Sequence, residues 1–252
     1  MSESGQTQQQ TCIAGAVAIV TGAARRIGRA IALALAKDGY AVVVHYDRSQ
    51  AAARELADQI RTTGGEATTV AADLMEPEQS AARILGAACE LGQPALLINN
   101  ASVFDEMPLS QINSLHCQEH FTVNTIAPIL LAREFVARLP ATDTGQIISM
   151  LDWRALRPPT DHLVYTASRA ALTSITLTLA QQLAPQVRVN GIALGAILAP
   201  AGREDWHQQR AQKQIPLRRH GTPENVVSAL RFLIRNDFMN GEILQVTGGE
   251  HL

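Results

Sequence analysis

The 252-residue sequence has few of the features that mark secreted, membrane-spanning, metal-binding or nucleic-acid-binding proteins. Its three cysteines, Cys12, Cys89 and Cys117, are widely spaced and form neither a Cys-x-x-Cys motif nor a disulfide framework, which favours reduced thiols. No apolar run approaches the roughly 20 residues that span a bilayer. The net charge of −2 argues against a nucleic-acid surface. We therefore expect a cytoplasmic protein with no metal site and with neither membrane nor nucleic acid as a partner.

The first residues lack a hydrophobic pattern. Residues 1–12 are polar and Gln-rich, without the basic and apolar segments of a signal peptide, so we expect a disordered tail there. The whole chain is 46% hydrophobic and 17% charged, which suffices for a sizeable core. Residues 13–252 contain no linker and no repeat longer than a β-α unit, and we expect them to form one domain.

Short apolar segments alternate with segments of helical periodicity throughout this domain. The predicted strands are residues 16–20, 40–44, 67–71, 95–98, 145–149, 187–192 and 242–246. The predicted helices are residues 29–37, 50–62, 77–91, 115–139, 164–183 and 223–235. This alternation predicts an α/β fold with a doubly wound, parallel, seven-stranded sheet of Rossmann type and helices on both faces. Residues 198–216 show no clear core periodicity and are predicted to form a lid-like insertion.

The first predicted strand runs into a glycine-containing loop and then a helix. The loop reads Thr-Gly-Ala-Ala-Arg-Arg-Ile-Gly over residues 21–28. Gly22 permits a tight turn, and Gly28 permits close approach of helix and strand. The free N–H groups of the helix N-terminus would then face a pyrophosphate. An ordinary β-α turn is the alternative interpretation.

The end of the second strand bears on the choice of cofactor. Its last residues read His-Tyr-Asp-Arg-Ser over residues 45–49. An acid at this place in a dinucleotide fold prefers a free ribose 2′-hydroxyl, whereas Arg and Ser favour a 2′-phosphate. Asp47 therefore supports a free 2′-hydroxyl, whereas Arg48 and Ser49 support a 2′-phosphate. We favour NADPH over NADH.

Polar residues also follow the third and fourth strands. Asp73 and Leu74 follow the third, and Asn-Asn-Ala-Ser-Val-Phe follows the fourth over residues 99–104. Such residues lie at the carboxyl edge of the sheet, where these folds bind ligands. The Asn and Ser side chains could equally cap the loop. Phe104 could anchor the loop or offer a flat stacking surface to a ligand ring.

Tyr165 and Arg169 lie four residues apart and therefore share one helix face. A phenol, with an unperturbed pKa of about 10, donates protons usefully near neutral pH only if its anion is stabilised. A cation one turn away provides that stabilisation. Asp152 precedes the tyrosine across a Pro-containing loop and could face the same reacting atom. Because Tyr-x-x-x-Arg occurs by chance in many helices, its value depends on the surrounding motifs.

Together these motifs resemble the short-chain dehydrogenase/reductases from about Val17 to Leu252. The residues concerned are the Thr-Gly-x-x-x-x-x-Gly loop at 21–28, Asn-Asn-Ala at 99–101, Asn124, Tyr165 and the turn at Gly195. Within the family the chain is most similar to pteridine and dihydromonapterin reductases. That narrower resemblance rests on Arg26 in place of the usual Gly, residues 45–49, residues 100–104, Asp152 in place of the usual Ser, and the Gly-Gly-x-His-Leu ending.

The resemblance implies an NADPH-dependent reduction of a dihydropterin to a tetrahydropterin by a homotetramer. Tyr165 would be the proton donor, Asp152 would bind the pterin and assist protonation, and Asn124 would sustain a water-mediated proton relay. Arg26 would touch both cofactor phosphate and pterin, while Ser102 and Phe104 would hold the ring. The implied cofactor site comprises Gly22, Arg25, Arg26, Ile27, Gly28, His45, Arg48, Ser49, Asp73, Leu74, Asn100, Ala101, Ser102, Tyr165, Arg169, Gly195 and Ile197.

Two residues depart from the family pattern. Arg169 stands where Lys is usual, and a guanidinium keeps the charge but cannot pass a proton along a relay. Leu194 stands where Pro usually precedes the glycine of the turn. Two alternatives therefore stay open, a reductase of another carbonyl or imine and a cofactor-binding protein with little turnover. Phe104 and Asp152 favour a pterin, because a ketone needs neither a flat stacking surface nor a carboxylate.

Overall fold

The computed structural model describes residues 15–199, 202 and 204–252. The predicted disordered tail, residues 1–12, lies outside the described residues. Positions 200, 201 and 203 of the predicted lid-like insertion lie outside them as well.

Within the described ranges, seven parallel strands form one sheet in the order β3-β2-β1-β4-β5-β6-β7. They are β1 (Ala16–Val20), β2 (Ala41–Tyr46), β3 (Ala67–Ala71), β4 (Gln93–Asn99), β5 (Gly145–Asp152), β6 (Val187–Leu194) and β7 (Ile243–Val246). This confirms the predicted doubly wound Rossmann-type fold. The strand order reverses between β1 and β4, and at such a switch point the carboxyl ends of the strands open a crevice.

Helices cover both faces of the sheet. Among the described residues they are α1 (Arg26–Lys37), α2 (Gln50–Thr62), α3 (Pro77–Leu91), α4 (Ser114–Phe121), α5 (Ala127–Ala137), α6 (Leu163–Gln182), α7 (Glu204–Gln214) and α8 (Pro223–Arg235). Leu35 of α1 and Leu230 of α8 pack in one hydrophobic cluster, and Leu85 of α3 and Phe135 of α5 pack in another. Alternate residues of β1 enter the two clusters, which explains why this strand is apolar throughout.

Two helical segments differ from the sequence-based expectation. Helix α1 begins at Arg26 rather than at residue 29. The predicted helix over residues 115–139 is interrupted by a π-helical turn, Thr122–Ile126, where the N–H of Ala127 donates to the carbonyl of Thr122. Pro128 explains the interruption, because it has no N–H to offer the carbonyl four residues earlier, at Asn124.

The predicted lid-like insertion contains a helix. Residues 204–214 form α7, which follows β6 and precedes α8. Across the described residues, no helix combines the length and apolar character needed to cross a membrane. The same residues contain no cluster of three or more His, Cys, Asp or Glu side chains placed to hold a metal ion.

Candidate active site

A cleft of about 780 Å³ opens at the carboxyl ends of the strands beside the switch point. Most of the residues predicted to bind cofactor or substrate line it, although they come from distant parts of the chain. They are Gly22, Arg25, Arg26, Ile27, Gly28, His45, Arg48, Asp73, Leu74, Asn100, Ala101, Ser102, Phe104, Asp152, Tyr165, Arg169, Gly195 and Ile197. Of the predicted residues, Ser49 and Asn124 do not line the cleft.

The glycine loop is held tightly against the end of β4. The Asn100 side-chain amide donates to the carbonyl oxygens of Thr21 and Gly22, at 2.8 and 3.2 Å. A Cβ atom at Gly28 would lie 2.4 Å from the Gly22 oxygen and 2.6 Å from Asn100 Nδ2. Only glycine fits at position 28, because no other residue lacks a Cβ.

The buried His45 fixes the loop from the other side. The N–H of Gly22 donates to His45 Nδ1 at 3.1 Å, so Nε2 carries the ring proton and donates it to the carbonyl of Ala72 at 3.0 Å. Burial lowers the pKa of His45, and the neutral ring can therefore keep accepting from Gly22. The structure gives this predicted cofactor residue a clear role in positioning the loop.

The first turn of α1 and the end of β2 have features that suit a phosphorylated dinucleotide. Arg25, at the N-cap of α1, makes no capping hydrogen bond, and the first turn contains no acid. The free backbone N–H groups at the start of α1 are thus not capped by the Arg25 side chain.

At the end of β2, the Arg48 side chain is 91% exposed and pairs only loosely with Asp47 at 3.3 Å. Such a pair contributes little stability. Ser49 is the N-cap of α2, outside the cleft.

Arg26 connects the glycine loop to the segment that follows β6. Its backbone adopts a φ of 55°, and its guanidinium Nη2 donates to the carbonyl oxygens of Leu198 and Ala199 at 3.2 and 3.1 Å. The side chain thus joins these two segments in addition to lining the cleft.

Tyr165, Asp152 and Arg169 meet inside the cleft, as their spacing predicted. The Tyr165 hydroxyl donates to Asp152 Oδ2 at 2.9 Å. The Arg169 guanidinium carbon lies 5.4 Å from the centre of the tyrosine ring, and its Nη1 donates to the Met150 carbonyl at 3.2 Å. Both Tyr165 and Arg169 are buried, and Arg169 Nε has no hydrogen-bond partner among the described residues.

The phenol is less acidic than its spacing from Arg169 suggests. Burial raises the pKa of Tyr165 to about 12, the Arg169 charge opposes the rise, and Asp152 adds to it. The Arg169 charge thus acts in the direction that the sequence predicts, toward a stabilised phenolate. Burial and the neighbouring carboxylate outweigh the guanidinium. Tyr165 holds its proton throughout the neutral range, as a donor must.

Asn124 lies behind the cleft wall, in the π-helical turn. Its side-chain oxygen accepts from the N–H of Val103 at 2.9 Å, and its amide donates to the Val103 carbonyl and to Ser168 Oγ, each at 3.0 Å. These bonds join the loop after β4 to α6. The side chain therefore positions Ser102 and Phe104 rather than entering the cleft.

Phe104 packs within a group of side chains that the sequence did not predict. Its ring stacks on that of His162, with centroids 4.3 Å apart and planes 12° from parallel, and meets the Tyr165 ring edge-on at 4.6 Å. The Phe104 side chain remains half exposed. One face of the predicted stacking surface is thus already covered by His162, which adopts the left-handed conformation before α6.

The turn after β6 is fixed from the C-terminal end of the chain. The N–H of Gly195 donates to the Val246 carbonyl at 3.0 Å, and that of Ala196 donates to Glu250 Oε2 at 2.8 Å. Arg210 of α7 pairs with Glu250 Oε1 at 2.6 Å. These bonds hold the turn although Leu194 replaces the usual proline. Neither Glu250 nor Arg210 was predicted, because their partners are far away in the sequence.

The fold and the cleft together define a Rossmann-type dinucleotide oxidoreductase. The family model described as short chain dehydrogenase matches residues 16–210, and the chain belongs to this family. The chain is 30% identical over 243 residues to the 3-oxoacyl-[acyl-carrier-protein] reductase of Synechocystis sp., covering 95% of this chain and 98% of that one.

Similar solved structures contain a bound dinucleotide. FolM alternative dihydrofolate reductase 1 of Brucella canis, crystallised with NADP, shares 33% identity over 95% of both chains, with a TM-score of 0.87. A blue fluorescent protein from a metagenomic library, crystallised with NADPH, shares 28% identity over 95% of this chain and 99% of that one, with a TM-score of 0.88.

Proposed function

We propose that this oxidoreductase reduces a dihydropterin to a tetrahydropterin, with NADPH as its cofactor. The observation that carries the proposal is the 2.9 Å hydrogen bond from Tyr165 to Asp152 beside the Phe104 ring. It places a proton donor, a carboxylate and an aromatic surface in one cleft. The 33% identity to a FolM alternative dihydrofolate reductase supports the same substrate class.

The residues proposed for the cofactor fit its parts. The N-terminus of α1 and the loop around Gly22 and Gly28 would hold the pyrophosphate, and Arg48 would meet the 2′-phosphate. The buried Arg169 Nε has no hydrogen-bond partner among the described residues, and it would donate to the nicotinamide ribose. NADP(H)-bound relatives support this assignment. Bound NADPH supplies the hydride that reduces a ring carbon of the substrate.

The chain's own residues would handle the proton and the orientation of the ring. Tyr165 would donate its proton to the nitrogen adjacent to that carbon, so that hydride and proton together reduce one C=N bond. Asp152 would accept a hydrogen bond from a ring N–H, and Phe104 would pack against the ring. Arg169 would stabilise the phenolate that remains, because a guanidinium keeps its charge at every working pH. We expect the oligomer to be a homotetramer.

A reductase of another carbonyl or imine is the second candidate. It is favoured by the His162 ring, which covers one face of Phe104 and leaves less of it for a flat substrate. It also fits the varied activities of relatives, such as the Synechocystis 3-oxoacyl reductase. The same Tyr165 proton would then pass to a carbonyl oxygen.

Steady-state NADPH oxidation against a panel of dihydropterins and simple ketones tests the proposal. We expect turnover with at least one dihydropterin, accompanied by the matching tetrahydropterin. Turnover confined to ketones would support the second candidate. NADPH binding without oxidation of any panel member would indicate a cofactor-binding protein without turnover.

A further inference from the structure

We infer that Arg154 is a specificity-determining residue, which donates to an oxygen of the substrate beside an N–H that Asp152 accepts. The inference rests on the proposed function and names the substrate edge that the cleft would recognise. A pterin carries that edge as a cyclic amide, with its ring N–H next to its oxo group.

The backbone turn after β5 directs Arg154 into the cleft. Asp152 Oδ1 accepts from the Arg154 N–H at 2.8 Å and caps the short 3₁₀ turn Trp153–Ala155. The Arg154 side chain is only 11% exposed and lines the cleft. Its guanidinium carbon lies over the Phe104 ring, 5.8 Å from the ring centre, and over the Trp153 ring at 5.2 Å.

The guanidinium is surrounded by negative charge but is hydrogen-bonded weakly. Its Nη1 lies 3.6 Å from Asp152 Oδ1, and its Nε lies 3.5 Å from Asp161 Oδ1. A charge-assisted hydrogen bond measures about 2.7–2.9 Å, so neither contact is a strong one. Within the described part of the chain, no hydrogen bond from Nη1 or Nη2 is formed. Because the side chain lines the cleft, a ligand oxygen there could accept from these donors.

Asp152 and Arg154 together form a recognition pair. The carboxylate is an acceptor, and the guanidinium beside it is a donor. Their complement is a donor beside an acceptor, which is the edge of a cyclic amide. A simple ketone has the oxygen but no adjacent N–H, so it would use only half of the pair. The pair therefore favours an oxo-heterocycle over a ketone.

Two pteridines with opposite hydrogen-bonding patterns at this edge test the pairing: the oxo compound has a ring N–H beside its oxygen, and the diamino compound has a ring nitrogen without hydrogen beside its amino group. Dissociation constants of 2-amino-4-oxopteridine and 2,4-diaminopteridine are measured with NADP⁺-saturated protein, because the amino group replaces the oxygen that Arg154 would bind. The variants are Arg154→Met, Arg154→Lys and, as a matched control from the same loop, the exposed Arg157→Gln. Thermal unfolding and NADP⁺ affinity report on the integrity of each variant.

The readout is the diamino dissociation constant divided by the oxo dissociation constant. We expect Arg154→Met to lower this ratio about ten- to hundredfold, as loss of a charge-assisted hydrogen bond would. Arg154→Lys should lower it less, and Arg157→Gln should leave it at the parent value. If Arg154→Met folds and its ratio equals that of the parent protein, the inference is overturned. If Arg154→Met does not fold, a ratio in Arg154→Lys equal to that of the parent protein would overturn the inference. Failure of both pteridines to bind the parent protein would instead overturn the proposed function, and this inference with it.

Discussion

The two sides of the cleft are built in different ways. On the cofactor side, Asn100 and His45 hold the Gly22 loop by hydrogen bonds of 2.8–3.2 Å to its backbone. On the substrate side, the Phe104 ring stacks on His162, the Arg154 guanidinium lies over the Phe104 ring at 5.8 Å, and Arg154 pairs with Asp161 at 3.5 Å. The first arrangement allows almost no change, whereas the second can be rearranged by substitution.

The largest effect should come from breaking the cofactor side at Gly28. Because an added Cβ would lie 2.4 Å from the Gly22 oxygen, Gly28→Ala must displace the loop. Overpacking of this kind costs about 1–3 kcal/mol. We expect a lower Tm and loss of measurable NADPH binding, checked by thermal unfolding and a fluorescence titration.

Gly86→Ala in α3 is the matched control. An added Cβ there meets no atom within 4 Å, and Ala is favoured over Gly in a helix by roughly 0.5–1 kcal/mol. We expect unchanged or higher stability and unchanged cofactor affinity. If Gly28→Ala behaved like Gly86→Ala, the cofactor side would be less constrained than the hydrogen bonds indicate.

The sequence predicts the cofactor side of the cleft better than the substrate side, for physical reasons. A parallel strand covered on both faces is apolar throughout, as residues 16–20 are, so the seven strands were recognisable. Tyr165 and Arg169 share a helix turn, so their proximity was also a local property. The loop that Asp152 caps could have indicated Arg154, because Asp is a common cap of such turns.

The remaining contacts have no local signal. His162 reaches Phe104 from a left-handed conformation, with a φ of 51°, that non-glycine residues seldom adopt. Glu250 binds Ala196 across 54 positions of sequence. The pKa of Tyr165 could not be predicted from helix spacing, because burial, which depends on the packing, outweighs the cation one turn away. Such features require the folded chain.

The next largest effect should come from Arg169, which lies between the cofactor side and the substrate side of the cleft. Arg169→Met should lower dihydropterin turnover about a hundredfold, because the phenolate left by proton transfer loses its nearest cation. Arg169→Lys should preserve or raise turnover, since an ammonium keeps the charge and can also relay a proton. Rapid-mixing measurement of NADPH oxidation checks both variants. Parent-like turnover in Arg169→Met would leave Arg169 a purely structural helix residue.

Cofactor preference should depend mainly on Arg48. The unmodified protein should bind NADPH more tightly than NADH, and Arg48→Ala should remove most of the difference. A charge-assisted contact to phosphate contributes roughly 1.5–3 kcal/mol, or about one to two decades in affinity. Paired titrations with the two nucleotides measure it. Equal affinities in the unmodified protein would show that Arg48, which is 91% exposed, does not meet the 2′-phosphate.

The smallest effect should arise on the substrate side at Phe104. Phe104→Ala should raise the KM for a dihydropterin and leave NADPH affinity unchanged, because an aromatic pair adds roughly 0.5–1.5 kcal/mol beyond burial. His162→Ala provides the comparison, since it would uncover the ring face on which His162 stacks. A lower Tm with unchanged kinetics in Phe104→Ala would make this residue a loop anchor only.

We propose that Tyr165 donates the proton in an NADPH-dependent reduction of a dihydropterin. The most direct test of this proposal is the rate of NADPH oxidation with a dihydropterin in the parent protein and in Tyr165→Phe, with Tyr40→Phe as a control and NADPH affinity measured separately. We predict that Tyr165→Phe loses roughly 10²–10⁴-fold in turnover, the usual contribution of a general acid, while it binds NADPH like the parent. A Tyr165→Phe variant that turns over as fast as the parent would contradict the claim.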